Sequence, residues 1–353
     1  MAHFSIPRRL LAWSAPAALA LAAAPAAPAL AEPAGRHSTP LVAVEIPVDR
    51  DLDGDGVPDL VTVGGTAGLG SGVWSATGLT SRRTGAGTGR VGTPASNIGL
   101  RGNGVGGTNA PTEFDGAQVI TGRFLGGDQQ DFLAYYPSGP AAGDASIIRG
   151  AGDGTMLNPY YSGNQQTVVS DQLVDDNGNV PLQVVNAYGA DGVGTEYPDL
   201  ISVTGDATNG HRLVYHPSLP MPGGYLTTVA LADATPTEGT DWQNWTIAST
   251  ETANGVAMYL RNASTGDLFL WTGVTLVDNG DGTGSLTRTQ YRVASNWNTA
   301  TAITTISVAD INADGIPDLW AVRPDATVRA YLVSGLSAGG PATVRAKGVQ
   351  RLI

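Results

Sequence analysis

Two acidic loops of the same pattern are the strongest candidates for chemistry in this sequence. Each carries aspartate or asparagine at loop positions 1, 3, 5 and 9, with glycine at position 6. Because alternate residues of a curled loop project to one side, this spacing directs their oxygen atoms to one point, and the glycine permits the sharp turn that presents the carbonyl of position 7. The predicted ligands are Asp51, Asp53, Asp55, Val57 (carbonyl) and Asp59 in the first loop, and Asp310, Asn312, Asp314, Ile316 (carbonyl) and Asp318 in the second.

The oxygen-rich ligand set favours calcium. Ca²⁺ accepts six to eight oxygen ligands, whereas Mg²⁺ takes fewer protein ligands in a stricter octahedral geometry. An EF-hand would need glutamate at position 12 and flanking helices, but position 12 is Thr62 or Ala321 and the flanks have strand composition. The alternative is a pair of aspartate–glycine turns that hold no ion, but carboxylates so close together repel one another strongly without a cation. We therefore predict Ca²⁺ as the cofactor.

Two further loops keep only part of this pattern. In the first of them, Arg123, Leu125 and Gly127 replace the first three ligands, so calcium binding is predicted to be lost there. One hypothesis places the Arg123 guanidinium where the ion would lie, paired with Asp131; the alternative is an exposed arginine on a turn. The other loop keeps its acidic residues only at positions 1 and 9, and we do not predict an ion there. These two residues are Asp191 and Asp199.

The loops belong to a repeated unit of short strands. An alternating strand, an aspartate–glycine loop, an aspartate followed by two apolar residues, and two further strands form a unit that recurs five times, although the unit that begins near Trp245 lacks the aspartate. Period-two alternation and dense turns, with 48 glycines and 22 prolines, argue against a helical solenoid. The anchoring aspartates are Asp59, Asp131, Asp199 and Asp318.

These repeats predict an all-β fold, and within that class a β-propeller. A unit of three or four short strands cannot bury both of its faces alone, but radial stacking of similar sheets covers both faces and leaves only short edges. The five units predict five blades. Six or seven blades are the alternative, if residues 76–116 and 276–300 contain further strands.

The two acidic loops also carry a family resemblance. D-L-D-G-D-G-V-P-D-L and D-I-N-A-D-G-I-P-D-L resemble the calcium loops of FG-GAP/VCBS repeats, the unit of integrin-alpha-like β-propellers. The resemblance is specific over these loops and weaker across residues 40–350. It implies calcium in blade hairpins and a role in adhesion or ligand binding. Integrin propellers have seven blades, which departs from the five units found here.

The N-terminal segment has the features of an export signal. Arg8 and Arg9 precede an apolar stretch, and Ala29-Leu30-Ala31 is a small-x-small cleavage site. Proline residues interrupt the stretch before it is long enough to span a membrane. We therefore predict a secreted, extracellular protein without membrane insertion. Its predicted parts are a signal peptide at 1–31, a flexible linker at 32–40 and the propeller at 41–353.

Composition and motifs exclude several classes of function. The net charge of -12 argues against binding to nucleic acid, and the absence of cysteine excludes disulfides and thiolate sites. The sequence has no nucleophile-elbow motif and no H-E-x-x-H motif, so we do not predict an enzyme. Trp242, Trp245 and Trp297 lie in polar segments and are predicted to be exposed for ligand contact.

The predicted function is therefore a non-catalytic adhesion or ligand-binding module whose partner is an extracellular protein or a glycan. A carbohydrate-binding, lectin-like propeller is one alternative. An accessory module related to a polysaccharide-active hydrolase is the other.

Overall fold

Runs of apolar residues separated by glycine-rich turns form strands along the whole described chain, so the fold is all-β. The computed structural model describes residues 48–353, except for residues 66–67, 169–171, 176, 226, 298–302, 304 and 339. The predicted signal peptide, the linker and residues 42–47 of the first predicted strand lie outside this range. In the described part of the chain, no helix is long and apolar enough to cross a membrane. Short 3-10 helices occur at Pro111–Phe114, Ser162–Asn164 and Trp242–Asn244.

Sheet I follows the first acidic loop. The strands of this region are β1 (Leu60–Val63), β2 (Val73–Ala76), β3 (Gly78–Thr80), β4 (Gly87–Val91) and β5 (Ser96–Asn97). Sheet I consists of β1, β2 and β5 in that order, all antiparallel, while β3 and β4 form a separate antiparallel pair. Residues 76–116 thus contribute the β3–β4 pair, β5 and a short 3-10 helix.

Sheet II is an antiparallel meander. Its strands are β6 (Gln118–Gly122), β7 (Asp131–Tyr135), β8 (Ala145–Ile148) and β9 (Gln165–Val168). Each strand pairs with the next along the chain, and Gly122 pairs with Asp131 across the first degenerate loop. The loop is therefore a hairpin between the first two strands.

Sheets III and IV repeat the meander and join into one eight-stranded sheet. The strands of sheet III are β10 (Gln183–Tyr188), β11 (Asp199–Asp206), β12 (Gly210–His216) and β13 (Val229–Leu231). Those of sheet IV are β14 (Trp245–Thr252), β15 (Gly255–Asn262), β16 (Leu268–Asp278) and β17 (Thr283–Ala294). A short parallel pairing of β13 with β17 joins them, and β10 contacts β14, so the eight-stranded sheet nearly closes on itself.

Sheet V contains the second acidic loop. Its strands are β18 (Thr305–Ala309), β19 (Asp318–Val322), β20 (Thr327–Ser334), β21 (Thr343–Ala346) and β22 (Gln350–Arg351). The first four strands form a meander, and β22 pairs with the beginning of β20. Ala309 pairs with Asp318, so this acidic loop is also a hairpin between the first two strands of its sheet.

Five hydrophobic clusters fill the spaces between sheets. Because neighbouring residues of a strand point to opposite faces, Leu200 joins a cluster with sheet II while Ile201 joins a cluster with sheet IV. Each cluster is shared by sheets that follow each other in the chain, except one that joins sheet V to sheet I. Representative pairs are Val73 with Phe132, Leu133 with Val184, Ile201 with Met258, Leu270 with Leu319, and Trp320 with Leu60.

The first described strands of the five sheets surround a central cavity of about 520 Å³. β6 contacts β10, β10 contacts β14, β14 contacts β18, and β1 contacts both β6 and β18. Two glutamines link adjacent sheets here. The Gln118 side chain accepts from Val184 N–H (2.9 Å) and donates to the carbonyl of Leu182, and Gln183 bridges to sheet IV in the same way, accepting from Ile247 N–H (3.0 Å).

Candidate metal centre

The first acidic loop curls around the carboxylate of Asp51. That carboxylate accepts hydrogen bonds from the backbone N–H groups of Gly54 (2.8 Å), Asp55 (3.1 Å) and Gly56 (2.9 Å). The N–H of Asp59 donates to the carbonyl of Arg50 (2.9 Å), which closes the loop immediately before β1. The predicted curled conformation is therefore present.

Three of the predicted ligands come together in this loop. Carboxylate oxygens of Asp51, Asp53 and Asp59 all lie within 4.8 Å of one another, and this group could hold a metal ion. Asp55 is not part of the group. Its side chain is exposed and accepts a hydrogen bond from Val57 N–H (2.9 Å).

Burial makes an additional negative charge costly at this point. It raises the pKa of Asp59 to about 7, and the neighbouring carboxylates of Asp53 and Asp51 raise it further, against two backbone hydrogen bonds that lower it. Burial, with the same two carboxylates, also raises the pKa of Asp55. A bound divalent cation would favour the ionised carboxylates that this arrangement disfavours.

The second acidic loop has the same curl but a looser ligand set. The carboxylate of Asp310 accepts from the N–H groups of Asp314 (3.0 Å) and Gly315 (2.8 Å), as Asp51 does in the first loop. The side-chain amide of Asn312 donates to the Asp314 carboxylate (2.9 Å), and that carboxylate also accepts from the N–H of Ile316 (3.0 Å). Among the described residues, three carboxylates meet within 4.8 Å only in the first loop.

Asp318 nevertheless has a free oxygen. This residue is fully buried, and its Oδ1 accepts from Val333 N–H (2.7 Å) whereas its Oδ2 has no hydrogen-bond partner. Burial raises its pKa to about 8, and the carboxylates of Asp314 and Asp310 raise it further. The hydrogen bond from Val333 N–H and a weaker contact from Asn312 N–H lower the pKa. Buried carboxylate oxygens are normally hydrogen-bonded, so an orphaned one beside two other acidic residues fits a cation ligand.

The aspartate at loop position 9 also has a structural role, which the sequence analysis missed. Asp59 accepts from Leu52 N–H (2.9 Å) and from Gly78 N–H (2.8 Å), a residue just beyond β2. Asp131 accepts from Leu125 N–H (2.8 Å) and Gly150 N–H (3.1 Å) in the same arrangement, although its loop has lost the first three ligands. The sequence did contain a signal for this structural role, because the aspartate recurs in units that lack the other acidic residues.

Asp199 keeps this structural role in the third unit. It accepts from Ser218 N–H (2.7 Å) and from the hydroxyl of Tyr215 (2.5 Å), and burial raises its pKa to about 6. Its partner at position 1, Asp191, accepts a local bond from Val193 N–H (2.8 Å). Asp191 and Asp199 do not form a metal-binding group with a third acidic residue in the described chain.

The structure does not support the hypothesis that Arg123 pairs with Asp131. The carboxylate of Asp131 is held by backbone N–H groups, and the cation that lowers its pKa is Arg149. Arg123 instead lowers the pKa of Glu251, which burial raises. The charge of the guanidinium therefore acts on a carboxylate of sheet IV.

The predicted exposure of three tryptophans was wrong. Trp242 and Trp245 are 1% and 2% exposed, and Trp297 is half-buried against Tyr331. The exposed aromatic pair is instead Tyr160 and Tyr161, whose rings meet edge to face at 5.5 Å.

No protein-family model matches the chain, and no curated protein sequence matches it. Among solved structures, the crystal structure of a triple mutant of AofleA from Arthrobotrys oligospora is similar to it, with a TM-score of 0.34 and 9% sequence identity. The similarity covers 66% of this chain and 57% of that chain, a little over half of the other protein's length. A similarity this low carries no conclusion about function.

Proposed function

We propose that this chain is a secreted, calcium-stabilised β-propeller of five blades, related to FG-GAP/VCBS repeat proteins. In this proposal it acts as a non-catalytic binding or adhesion module for an extracellular protein or glycan. The five-blade arrangement is supported by sheets I to V, by the five clusters between them, and by the contact of β1 with both β6 and β18.

The metal proposal rests on one observation: carboxylate oxygens of Asp51, Asp53 and Asp59 lie within 4.8 Å of one another. All three groups are oxygen donors, which is the ligand chemistry of Ca²⁺ rather than of soft metals. Asp55 and the Val57 carbonyl complete the set in this proposal. The side chain of Asp55 would have to turn inward from its bond to Val57 N–H.

The second loop is proposed to bind calcium through the equivalent positions. The orphaned Oδ2 of Asp318 supports this assignment, as does the curl around Asp310. The proposed ligands are Asp310, Asn312, Asp314, the Ile316 carbonyl and Asp318.

An ordered loop would also stabilise contacts between sheets. Gly154 follows strand β8 of sheet II, and its N–H donates to the carbonyl of Leu52 in the first loop (3.0 Å). The side chain of Asn254, in the β14–β15 turn, donates to the carbonyl of Gly315 in the second loop (3.1 Å). Each acidic loop therefore contacts a neighbouring sheet, and calcium in the loops would strengthen both interfaces.

Thermal melting of the purified mature chain tests the proposal. We expect Ca²⁺ at about 0.1–1 mM, the range of extracellular calcium modules, to raise the melting temperature by several degrees over chelated protein, and Mg²⁺ to have a smaller effect. Elemental analysis of protein equilibrated with about 1 mM Ca²⁺ should find bound calcium. Identical melting curves with Ca²⁺ and with chelator, and no metal in the protein, would refute the metal assignment.

A further inference from the structure

A second cavity, of about 250 Å³, lies where sheets II, III and IV meet. Its lining includes Asp49, Gln130, Tyr188, Tyr197 and Glu251, and none of the proposed calcium ligands. At about 30 Å³ for each water, this volume equals about eight water molecules, which is smaller than the pockets that hold drug-sized ligands. The cavity thus has room for one small molecule.

Two buried oxygens of the cavity residues have no hydrogen-bond partner. Asp49 is 8% exposed, and its Oδ2 accepts from the hydroxyls of Tyr188 (2.7 Å) and Thr250 (2.7 Å) while its Oδ1 accepts nothing. Gln130 is 6% exposed, and its Oε1 is also without a partner. Buried polar atoms in native proteins are nearly always satisfied by protein, water or ligand. Both atoms accept hydrogen bonds, so the missing partner must donate them.

The backbone at this cavity is also held in a rare conformation. Tyr188 has a φ of +55°, which non-glycine residues seldom adopt. Its N–H donates to the side-chain oxygen of Asn186 (2.7 Å), and its hydroxyl donates to Asp49 Oδ2 (2.7 Å). Together these bonds hold Asp49 and Tyr188 in place without a ligand.

The charges of the cavity indicate the class of ligand. The oxygens of Asp49, Glu196 and Glu251 do not come close enough to form a metal-binding group, in contrast to those of the first acidic loop. Each buried or half-buried carboxylate of the cavity already has an arginine near it. The Nε of Arg50 lies 3.8 Å from Asp49 Oδ2, and the charge of Arg123 lowers the pKa of Glu251. Separated acceptors whose negative charges are compensated in this way suit a neutral molecule that carries several hydroxyl groups.

We infer that this cavity binds a small neutral polyhydroxylated ligand of the monosaccharide class, with hydroxyl groups that donate to Asp49 Oδ1 and Gln130 Oε1. The inference rests on the proposed role as a binding module and names the class of its ligand. The cavity lining and the acidic metal group share no residue, so the binding of sugar and of calcium can be measured separately.

The test is saturation-transfer NMR and calorimetry on the calcium-loaded mature chain with a panel of free neutral hexoses, 6-deoxyhexoses and pentoses. Glucosamine and glucuronate serve as cationic and anionic probes. We expect at least one neutral sugar to bind with a Kd on the order of 1 mM, since a ligand of this size makes few contacts. Gln130→Ala removes one of the two proposed acceptors and should weaken the binding of that sugar about tenfold or more. Glu251→Gln exchanges a charged acceptor of the lining for an amide and should weaken it to a smaller extent.

Matched controls are available on exposed positions. Gln129→Ala and Glu238→Gln change the same residue types outside the cavity and should bind as the wild type does. A melting temperature close to that of the wild type under the same conditions shows that each variant is folded. The inference is overturned if no neutral sugar binds, if only glucosamine binds, or if the two cavity variants bind like wild type. Sugar binding without any calcium-dependent melting shift would sustain the inference while removing the metal proposal.

Discussion

Asp59 and Asp131 make almost the same pair of backbone hydrogen bonds, although only Asp59 has other acidic side chains beside it. Each carboxylate ties its loop to a residue beyond the next strand. The acidic pattern therefore combines two functions. In the four loops that carry it, the aspartate at position 9 accepts a backbone N–H at or just beyond the end of the next strand, while positions 1, 3 and 5 could add metal-binding capacity in only some of them. Sequence spacing alone could not separate these functions.

Replacing Asp131 should destabilise the protein whether or not calcium is present. Asp131→Ala leaves two buried N–H groups without their acceptor, so we expect a loss of about 2–4 kcal/mol in the free energy of unfolding. Denaturant titration with Ca²⁺ and with chelator measures this loss in both states. Asp128→Ala, at an exposed position of the same loop, should change stability little. A loss seen only with Ca²⁺ would contradict the structural role.

Replacing Asp53 should have opposite effects in the two states. Asp53→Asn removes a negative charge beside Asp59, so the calcium-free protein should become slightly more stable. The same change removes a charged ligand, so calcium affinity at this loop should fall about tenfold or more. Calcium titration followed by thermal melting measures both effects. The second loop should retain its own contribution, and an unaltered calcium response would argue against Asp53 as a ligand.

The pH dependence of the calcium-free protein should have an unusual sign. Burial raises the folded-state pKa of Asp59 to about 7 and of Asp318 to about 8, from an ordinary value of 3.8. At a pH between the ordinary value of 3.8 and these raised pKa values, the folded protein holds protons that the unfolded chain releases. The stability of the calcium-free protein should therefore fall as pH rises from about 4 to about 8.

Calcium should reverse this trend, because it competes with the same protons. The rise in melting temperature caused by Ca²⁺ should therefore grow over the same pH range. Melting curves of calcium-free and calcium-loaded protein at several pH values measure both slopes. A calcium effect that shrinks as pH increases would contradict the assignment of these carboxylates to the metal.

At the level of elements, period-two alternation predicted most of the described strands and the hairpin that contains the second acidic loop. The β3–β4 pair lies in residues 76–116, where further strands were only an alternative, because Gly87–Val91 is rich in glycine and lacks apolar alternation. The burial of the tryptophans also could not be predicted from the sequence. Trp242 begins a 3-10 helix and its Nε1 donates to the Asp233 carbonyl (3.0 Å), so the ring is buried with its N–H satisfied despite polar neighbours.

The turn in the first acidic loop should depend on Gly56. Its φ is +83°, and a Cβ at this position would meet no atom within 4 Å, so substitution tests backbone conformation alone. Gly56→Ala should cost about 1–2 kcal/mol of stability and should lower calcium affinity. Gly163→Ala is the control, because it has the same free space and no positive φ. Equal stability of the two variants in denaturant titration would be inconsistent with a left-handed turn at Gly56.

Across the whole molecule, the interface between sheets I and V depends on residues that are far apart in the chain. Leu352 is fully buried in that cluster, and its carbonyl accepts from Ala95 N–H (2.6 Å). The side chain of Gln350 bonds both the N–H (3.1 Å) and the carbonyl (3.2 Å) of Val91. The repeat predicted similar sheets, but single-sequence patterns could not identify these long-range contacts.

This interface predicts different effects for two adjacent residues. Leu352→Ala should lower the free energy of unfolding by about 2–5 kcal/mol, because it leaves a cavity between sheets I and V. Ile353→Ala should change it by less than about 0.5 kcal/mol, since Ile353 is 55% exposed. Denaturant titration of both variants measures the difference. A similar small effect for both would show that the interface does not need Leu352.

The hydrogen bonds from residues 350–352 to residues 91–95 also impose an order in time. During synthesis on the ribosome, sheets II, III and IV emerge with their sequence neighbours and can pack as they appear. Until Leu352 reaches it, the face of sheet I that packs against sheet V stays uncovered. In a chain that folds in the order of its sequence, the contact between these two sheets would therefore be the last to form.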